Sequence, residues 1–156
     1  MAARRDIPRG NAGAAGMPAL PCACASLRRA ARAVTQLYEQ EMRSAGLSAT
    51  QFTLLQVLGH TGEITQGRLG ESLSFDSTTL TRTLATLRRE KWIAIRSGMD
   101  RRERLISLTA SGHGKLKISL PQWERAQERL RRILGEHRWG ELGELLMRVT
   151  RSAKEA

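Results

Sequence analysis

The chain has 156 residues, and its 26 Lys and Arg outnumber 15 Asp and Glu, which gives a formal net charge of +11. This length allows one domain with a real core, and the charge favours a polyanionic partner, first nucleic acid and second an anionic membrane surface. There is no apolar run of about 18 residues, and no apolar stretch follows Arg4 and Arg5, so we expect a cytoplasmic protein that does not enter a membrane.

The residues that carry enzymatic chemistry are sparse. The chain has no Gly-rich phosphate loop, and His60, His113 and His137 stand apart from any cluster of acidic residues at metal-ligand spacing. We therefore expect no catalytic residues, no metal site and no cofactor.

The N-terminal segment differs in composition from the remainder. Residues 1–21 are rich in Ala, Gly, Pro and Arg without apolar periodicity, which predicts a disordered arm, and residues 22–156 are predicted to form one domain. A first helix is expected over residues 25–45. Ser48 and Gln51 have the spacing of a capping box, so a second helix should begin at Ser48, and Thr65 can cap a short third helix.

A fourth helix should follow Asp76, which is a good N-cap. Leu80, Leu84 and Leu87 recur at the spacing of one helical face and should be buried. The opposite face carries short hydroxyls and guanidiniums, which suit phosphates and base edges, and comprises Thr78, Arg82, Thr86 and Arg89. This pattern and the short helix before it predict a DNA recognition helix in a helix-turn-helix. The alternative is an ordinary amphipathic helix with surface arginines.

Two short aliphatic runs follow, Trp92–Arg96 and Leu105–Thr109, on either side of a polar loop that contains glycine and arginines. They predict a β-hairpin, and a basic hairpin after a recognition helix can reach phosphates or the minor groove as a wing. The remainder, residues 111–152, is predicted to be helical. Its apolar residues Trp139, Leu142, Leu146 and Val149 form a short coiled-coil-like seam, which could pack on a partner chain or close the chain's own core.

The order of these elements and the pattern Asp100, Arg102, Leu108, Thr109 and Gly112 resemble the MarR family of bacterial winged helix-turn-helix regulators. The resemblance implies a mostly α fold with a small β-hairpin wing, in which the winged helix-turn-helix covers about residues 48–110. It also implies a homodimer built from helices at about 25–45 and 111–152. Arg102 would enter the minor groove, Asp100 would orient the basic side chains of the wing, and a ligand would bind between the dimer region and the winged part. The chain departs from the family pattern at Lys91, where relatives commonly carry glycine.

We therefore expect a homodimeric, sequence-specific regulator of transcription that binds double-stranded DNA, acting as a repressor of a palindromic operator and released by a small molecule or chemical signal. The predicted DNA contacts are Ser77, Thr78, Thr79, Arg82, Thr86, Arg89, Asp100, Arg101, Arg102 and Arg104. The candidate effector contacts, each also a candidate for ordinary packing, are Tyr38, Gln51, Phe52, His60 and Trp92.

The alternative function is a thiol-based redox or metalloid sensor. Cys22 and Cys24 are the only cysteines, and they lie just before the predicted first helix, where they could bind a soft metal or metalloid or be oxidised. Two thiols in a leader segment are often inert, so both interpretations stay open.

Overall fold

The computed structural model describes residues 22–100 and 103–155. Six helices and three short strands occur in these ranges, in the order α1 (Ala23–Met42), a 3₁₀ turn (Arg43–Ala45), α2 (Ala49–Thr61), β1 (Ile64–Thr65), α3 (Gln66–Leu73), α4 (Ser77–Arg89), β2 (Ile93–Ser97), β3 (Arg104–Leu108), α5 (Ala110–Leu134) and α6 (Glu136–Glu155). The predicted fold class, mostly helical with a small antiparallel hairpin, is confirmed. No helix in the described ranges is long and apolar enough to cross a membrane.

The described chain divides into two units, one ending at Leu37 and the other beginning at Tyr38. In the first unit, residues 22–37 belong almost entirely to α1, and none of them is buried. The second unit contains the hydrophobic core, which joins α2, α3, α4 and the sheet. Its buried side chains include Phe52, Leu54, Leu55, Leu58, Leu69, Leu80, Leu84, Leu87, Ile93 and Ile106.

The helix starts follow the local signals in the sequence. Ser48 accepts from the Gln51 amide, and the Gln51 side chain accepts from the Ser48 amide, which completes the predicted capping box. Thr65 caps α3 and Asp76 caps α4, as predicted. Glu39 adds a feature that the sequence did not reveal, because its carboxylate accepts from the Ala49 amide at 2.8 Å and so caps the start of α2 from another helix.

The sheet has strand order β1-β3-β2, with both pairings antiparallel. β2 and β3 are the predicted hairpin, and Ile95 lies opposite Ile106. β1 was not predicted, since a strand of two residues is too short to show alternation. It pairs Ile64 with Ile106, so the side of the sheet that faces the core extends across all three strands.

The end of α4 is joined to the start of α5 through a group of residues that we call the α4–α5 clamp: Lys91, Trp92, Thr109, Ser111 and Gly112. The hydroxyls of Thr109 and Ser111 both donate to the Lys91 carbonyl at 2.7 Å, and the Thr109 amide donates to the Trp92 carbonyl at 3.0 Å. Thr109 is also the N-cap of α5, because its hydroxyl accepts from the Gly112 amide. The clamp therefore fixes the exit of α4 against the entry of α5.

Lys91 occupies the position where the family pattern commonly has glycine, and it adopts a left-handed backbone with φ of 59°. The amides of Lys91 and Trp92 donate to the carbonyls of Arg88 and Leu87, which is the pattern of a Schellman cap. The departure in sequence thus leaves the cap geometry intact. A side chain in this conformation costs roughly 1–2 kcal/mol, and the clamp on the Lys91 carbonyl helps to hold it.

Gly112 is required by the close approach of α5 to Trp92. A Cβ atom at this position would lie 1.9 Å from the Trp92 carbonyl oxygen, whereas a Cβ at Gly114, two residues later, would meet nothing within 4 Å. Backbone cannot yield as a flexible side chain can, so the clamp tolerates only glycine here.

We therefore predict that Gly112→Ala destabilises the protein by about 3 kcal/mol, since α5 must move away from Trp92. The matched control Gly114→Ala should be neutral or stabilise by up to about 1 kcal/mol, because alanine favours the helix more than glycine. Urea unfolding followed by circular dichroism measures both. Equal stability of the two variants would contradict the close packing of the clamp.

Candidate nucleic-acid interface

Helix α4 has two chemically distinct faces. Leu80, Leu84 and Leu87 are buried at 4%, 2% and 0% exposure, as predicted. On the opposite side Thr78, Arg82 and Arg89 are exposed, whereas Thr86 is half-buried and donates its hydroxyl to the Arg82 carbonyl at 3.3 Å. No residue of α4 is acidic, so this face offers hydroxyls and guanidiniums without carboxylates to repel an anion.

The first turn of α4 is fixed by Asp76. Its carboxylate accepts from the Thr79 amide at 2.8 Å and from the Thr79 hydroxyl at 2.7 Å. The hydrogen bond from the Thr79 hydroxyl, with that from its amide, lowers the pKa of Asp76 below the ordinary value, so the cap stays charged into acidic solution. Thr79 is therefore engaged in the cap, while Ser77 and Thr78 are exposed beside it.

The two predicted arginines of α4 differ in their surroundings. Arg89 lies 3.5 Å from the carboxylate of Glu90, and both side chains are exposed. Arg82 forms no ion pair with any residue in the ranges 22–100 and 103–155. Its guanidinium is thus available for an external anion or a base edge. Arg88, which is not among the predicted DNA contacts, is also exposed on this helix.

The wing carries the second group of predicted residues. At its tip the Gly98 amide donates to the Glu103 carbonyl and the Glu103 amide donates to the Asp100 carbonyl, both at 2.9 Å. Asp100 and Arg104 are exposed. Arg101 and Arg102, the other predicted wing contacts, lie outside the described residues.

One open groove of about 1000 Å³ runs between α3, the start of α4 and the wing. Ser77 and Arg104, predicted from separate parts of the sequence, both border it. The remaining lining residues are Thr65, Gln66, Gly67, Gly70, Glu71, Ser74, Phe75, Leu80 and Glu103. The fold thus brings the first turn of α4 and the root of the wing to one surface.

The predicted effector contacts do not share one environment. Gln51 is part of the α2 cap, and Phe52 is buried with its ring 6.0 Å from that of Trp123. His60 is exposed at the end of α2. Tyr38 donates its hydroxyl to the Gln127 side chain at 2.6 Å, and burial raises the pKa of Tyr38. These contacts give Gln51, Phe52 and Tyr38 structural partners.

Trp92, the remaining candidate, lies under a cation. The Lys115 amine is 4.8 Å from the centre of its ring and donates to the Ala45 carbonyl at 2.6 Å. Lys115 therefore links the end of α4 to the turn before α2. The sequence does not predict this connection, because the three residues are distant along the chain.

The two cysteines are both exposed and free. Cys22 directly precedes α1 and Cys24 is its second residue, while the Ser26 amide donates to the Cys22 carbonyl in the first turn. Both sulfurs are thus accessible to a solute at a helix N-terminus.

Comparison with known proteins agrees with this geometry. The MarR family profile matches residues 45–103. A crystal structure of the Mycobacterium tuberculosis transcriptional regulator MosR in complex with DNA is 32% identical, covers 86% of this chain and 97% of its own, and superposes with a TM-score of 0.77. A mutant of Escherichia coli MarR complexed with operator DNA has the same fold at 23% identity and a TM-score of 0.73, covering 81% of this chain and 91% of its own.

Among curated proteins, the Bacillus subtilis HTH-type transcriptional regulator YwoH is 29% identical over 89 residues, which are 57% of this chain. The match spans 65% of the length of YwoH, whereas nearly the full length of MosR is covered. Helix α4 has one buried and one exposed polar face, the wing lies beside it, and the proteins above share this fold. The chain therefore belongs to the MarR family of DNA-binding winged helix-turn-helix transcriptional regulators.

Proposed function

We propose that the protein is a homodimeric repressor that binds a palindromic operator, with α4 in the major groove and the wing against the adjacent minor groove. The observation that carries this proposal is the outer face of α4, which exposes Thr78 and Arg82 without a carboxylate on the helix. Arginine can bind guanine through two hydrogen bonds, and a helix of this width fits the major groove of B-DNA.

The position of each exposed side chain indicates which part of the DNA it would contact. Exposed residues on the middle of α4 would contact base edges, whereas Ser77 in the first turn and Arg104 at the wing root would contact phosphates. Thr79 and Thr86 would act through the backbone of α4, because their hydroxyls are already engaged. Arg102 would read minor-groove width by analogy with the family pattern.

We predict that Arg82→Ala weakens binding to an operator selected from random duplexes by roughly 1–3 kcal/mol and relaxes preference at one position per half-site. Binding to a scrambled duplex should change much less. Arg138→Ala, which removes an equal charge from an exposed position on α6, is the matched control and should keep operator specificity. Fluorescence anisotropy at several salt concentrations measures these effects. Equal losses for the two variants would refute base contact by Arg82.

The proposed dimer would bury one apolar side of α6. Leu145, Leu146 and Val149 are 56%, 43% and 39% exposed in the single chain, and no described residue of α6 is buried. Leu142, Leu146 and Val149 follow one stripe, which fits a helix that packs on a second copy. A two-fold dimer would also present two α4 helices to the two halves of a palindrome.

We predict that the pair of changes Leu146→Glu and Val149→Glu yields a monomer, because two carboxylates would be buried in the seam. Met147 is 65% exposed and points away from the stripe, so Met147→Glu is the matched control and should remain dimeric. Sedimentation velocity distinguishes the two states. A dimer that survives the double change in the stripe would place the interface elsewhere.

Release of the operator is proposed to follow a chemical signal. For a small-molecule effector, His60 is the foremost candidate because it is exposed. Tyr38, Gln51, Phe52 and Trp92 stay candidates, although each already contacts another group of the protein. The exposed pair Cys22 and Cys24 favours a second mechanism, a thiol sensor in which an oxidant or a trivalent metalloid reacts with both sulfurs.

The thiol proposal predicts that peroxide or trivalent arsenic releases the parent protein from its operator, whereas the Cys22→Ser, Cys24→Ser double variant binds equally well but is not released. Anisotropy before and after treatment, with reversal by a dithiol, measures this. Identical behaviour of parent and variant would exclude the two cysteines from regulation.

A further inference from the structure

An ion pair on the outer side of the wing has no counterpart among the sequence predictions. Arg96 Nε donates to Glu63 Oε2 at 2.7 Å, and Arg96 Nη2 donates to Glu63 Oε1. The two residues are 33 positions apart, so the contact is tertiary. A bidentate guanidinium–carboxylate pair fixes orientation as well as distance, unlike a single flexible contact between surface charges.

The strand register places this pair across the whole sheet. Arg96 on β2 lies opposite Leu105 on β3, and Leu105 lies opposite Thr65 on β1, two residues after Glu63. Residues that alternate with the core-facing Ile64, Ile95 and Ile106 point to the other side of the sheet. The Glu63–Arg96 pair therefore bridges over β3 on the side away from the core and connects the segment before β1 to the outer strand β2.

This position matters because β1 is only two residues long and offers little pairing to hold the wing. Arg96 is followed by Ser97, the last residue of β2, and then by Gly98 at the wing tip. A tether at Arg96 thus acts close to the point where the hairpin extends beyond the rest of the sheet.

We propose that the Glu63–Arg96 pair sets the angle of the wing relative to α4, and that Glu63 is a positioning residue for DNA binding although its charge repels DNA. The proposal rests on the proposed function, in which the wing contacts the minor groove. Arg96 serves the tether rather than the DNA.

Electrostatics alone gives the opposite expectation. Removal of a carboxylate from a DNA-binding face raises the net positive charge by one and should strengthen binding to phosphates. The sign of the change at Glu63 therefore separates positioning from simple charge.

The test compares Glu63→Gln with Glu103→Gln, which removes an exposed carboxylate of equal charge from the hairpin that carries Arg96. We expect Glu63→Gln to bind the selected operator about threefold to fivefold more weakly, and Glu103→Gln to bind equally or more tightly. Hydroxyl-radical footprints of Glu63→Gln should lose protection in the flanking minor groove and keep it in the major groove. Thermal unfolding should match the parent. Operator binding by Glu63→Gln as tight as that of Glu103→Gln would overturn the proposal.

A charge exchange, Glu63→Arg with Arg96→Glu, leaves the net charge unchanged and restores a pair of reversed polarity. It should recover most of the affinity lost in Glu63→Gln. Weaker binding than Glu63→Gln by this folded variant would instead make Arg96 a DNA contact, which would overturn the tether.

A measurement without DNA keeps this proposal separate from the proposed function. Amide hydrogen exchange at Ser97 and Gly98 should be faster in Glu63→Gln than in Glu103→Gln if the tether holds the wing. Unchanged exchange would refute the tether, whereas failure of the parent to distinguish an operator from a scrambled duplex would refute only the proposed function.

Discussion

The α4–α5 clamp is the constraint on which the presentation of α4 depends. The Lys91 carbonyl, at the exit of α4, accepts two hydroxyl donors from the start of α5, and Gly112 allows the backbone of α5 to reach the Trp92 carbonyl. One threonine, Thr109, both caps α5 and holds α4. Thr109 and Gly112 of the family pattern therefore have a physical explanation, because they join the helix proposed to contact DNA to the helix that leads towards α6.

The opposite end of α4 is fixed by other means. Asp76 caps the first turn, and the hydrogen bonds from Thr79 keep its carboxylate charged by lowering its pKa. The three buried leucines determine which side of the helix faces outward. With both ends and one face held by the protein, the exposed Thr78 and Arg82 lie on a fixed helix, which would lower the entropic cost of the proposed contact with a duplex.

The sequence predicted well the features that depend on neighbouring residues. The caps at Ser48, Thr65 and Asp76 and the leucine face of α4 each follow from a spacing of three or four residues. The sequence could not predict β1, which is too short for a pattern, or the Glu63–Arg96 pair, whose residues meet only through the register of three strands. Lys91 shows a further limit. Whether a non-glycine residue adopts a left-handed backbone depends on the hydrogen bonds around it, which the sequence does not show.

For the candidate interface too, the sequence predicted local features and missed tertiary contacts. The residues on α4 could be chosen from helical periodicity, but periodicity does not reveal that the hydroxyls of Thr79 and Thr86 are engaged by the helix itself. Polar and aromatic character suggested Gln51 and Phe52 as effector contacts, whereas their side chains complete a cap and a ring stack. Residue type indicates which chemistry is available, and only the tertiary structure reveals whether that chemistry is already in use.

In the proposed complex, two copies of α4 enter successive major grooves while the wings lie beside them. Guanine N7 methylation protection and hydroxyl-radical footprinting on one selected operator test this most directly. We expect two major-groove protections about one helical turn apart, centred on a two-fold axis and flanked by minor-groove protection. A uniform footprint without guanine protection, or a single unpaired protected segment, would contradict it.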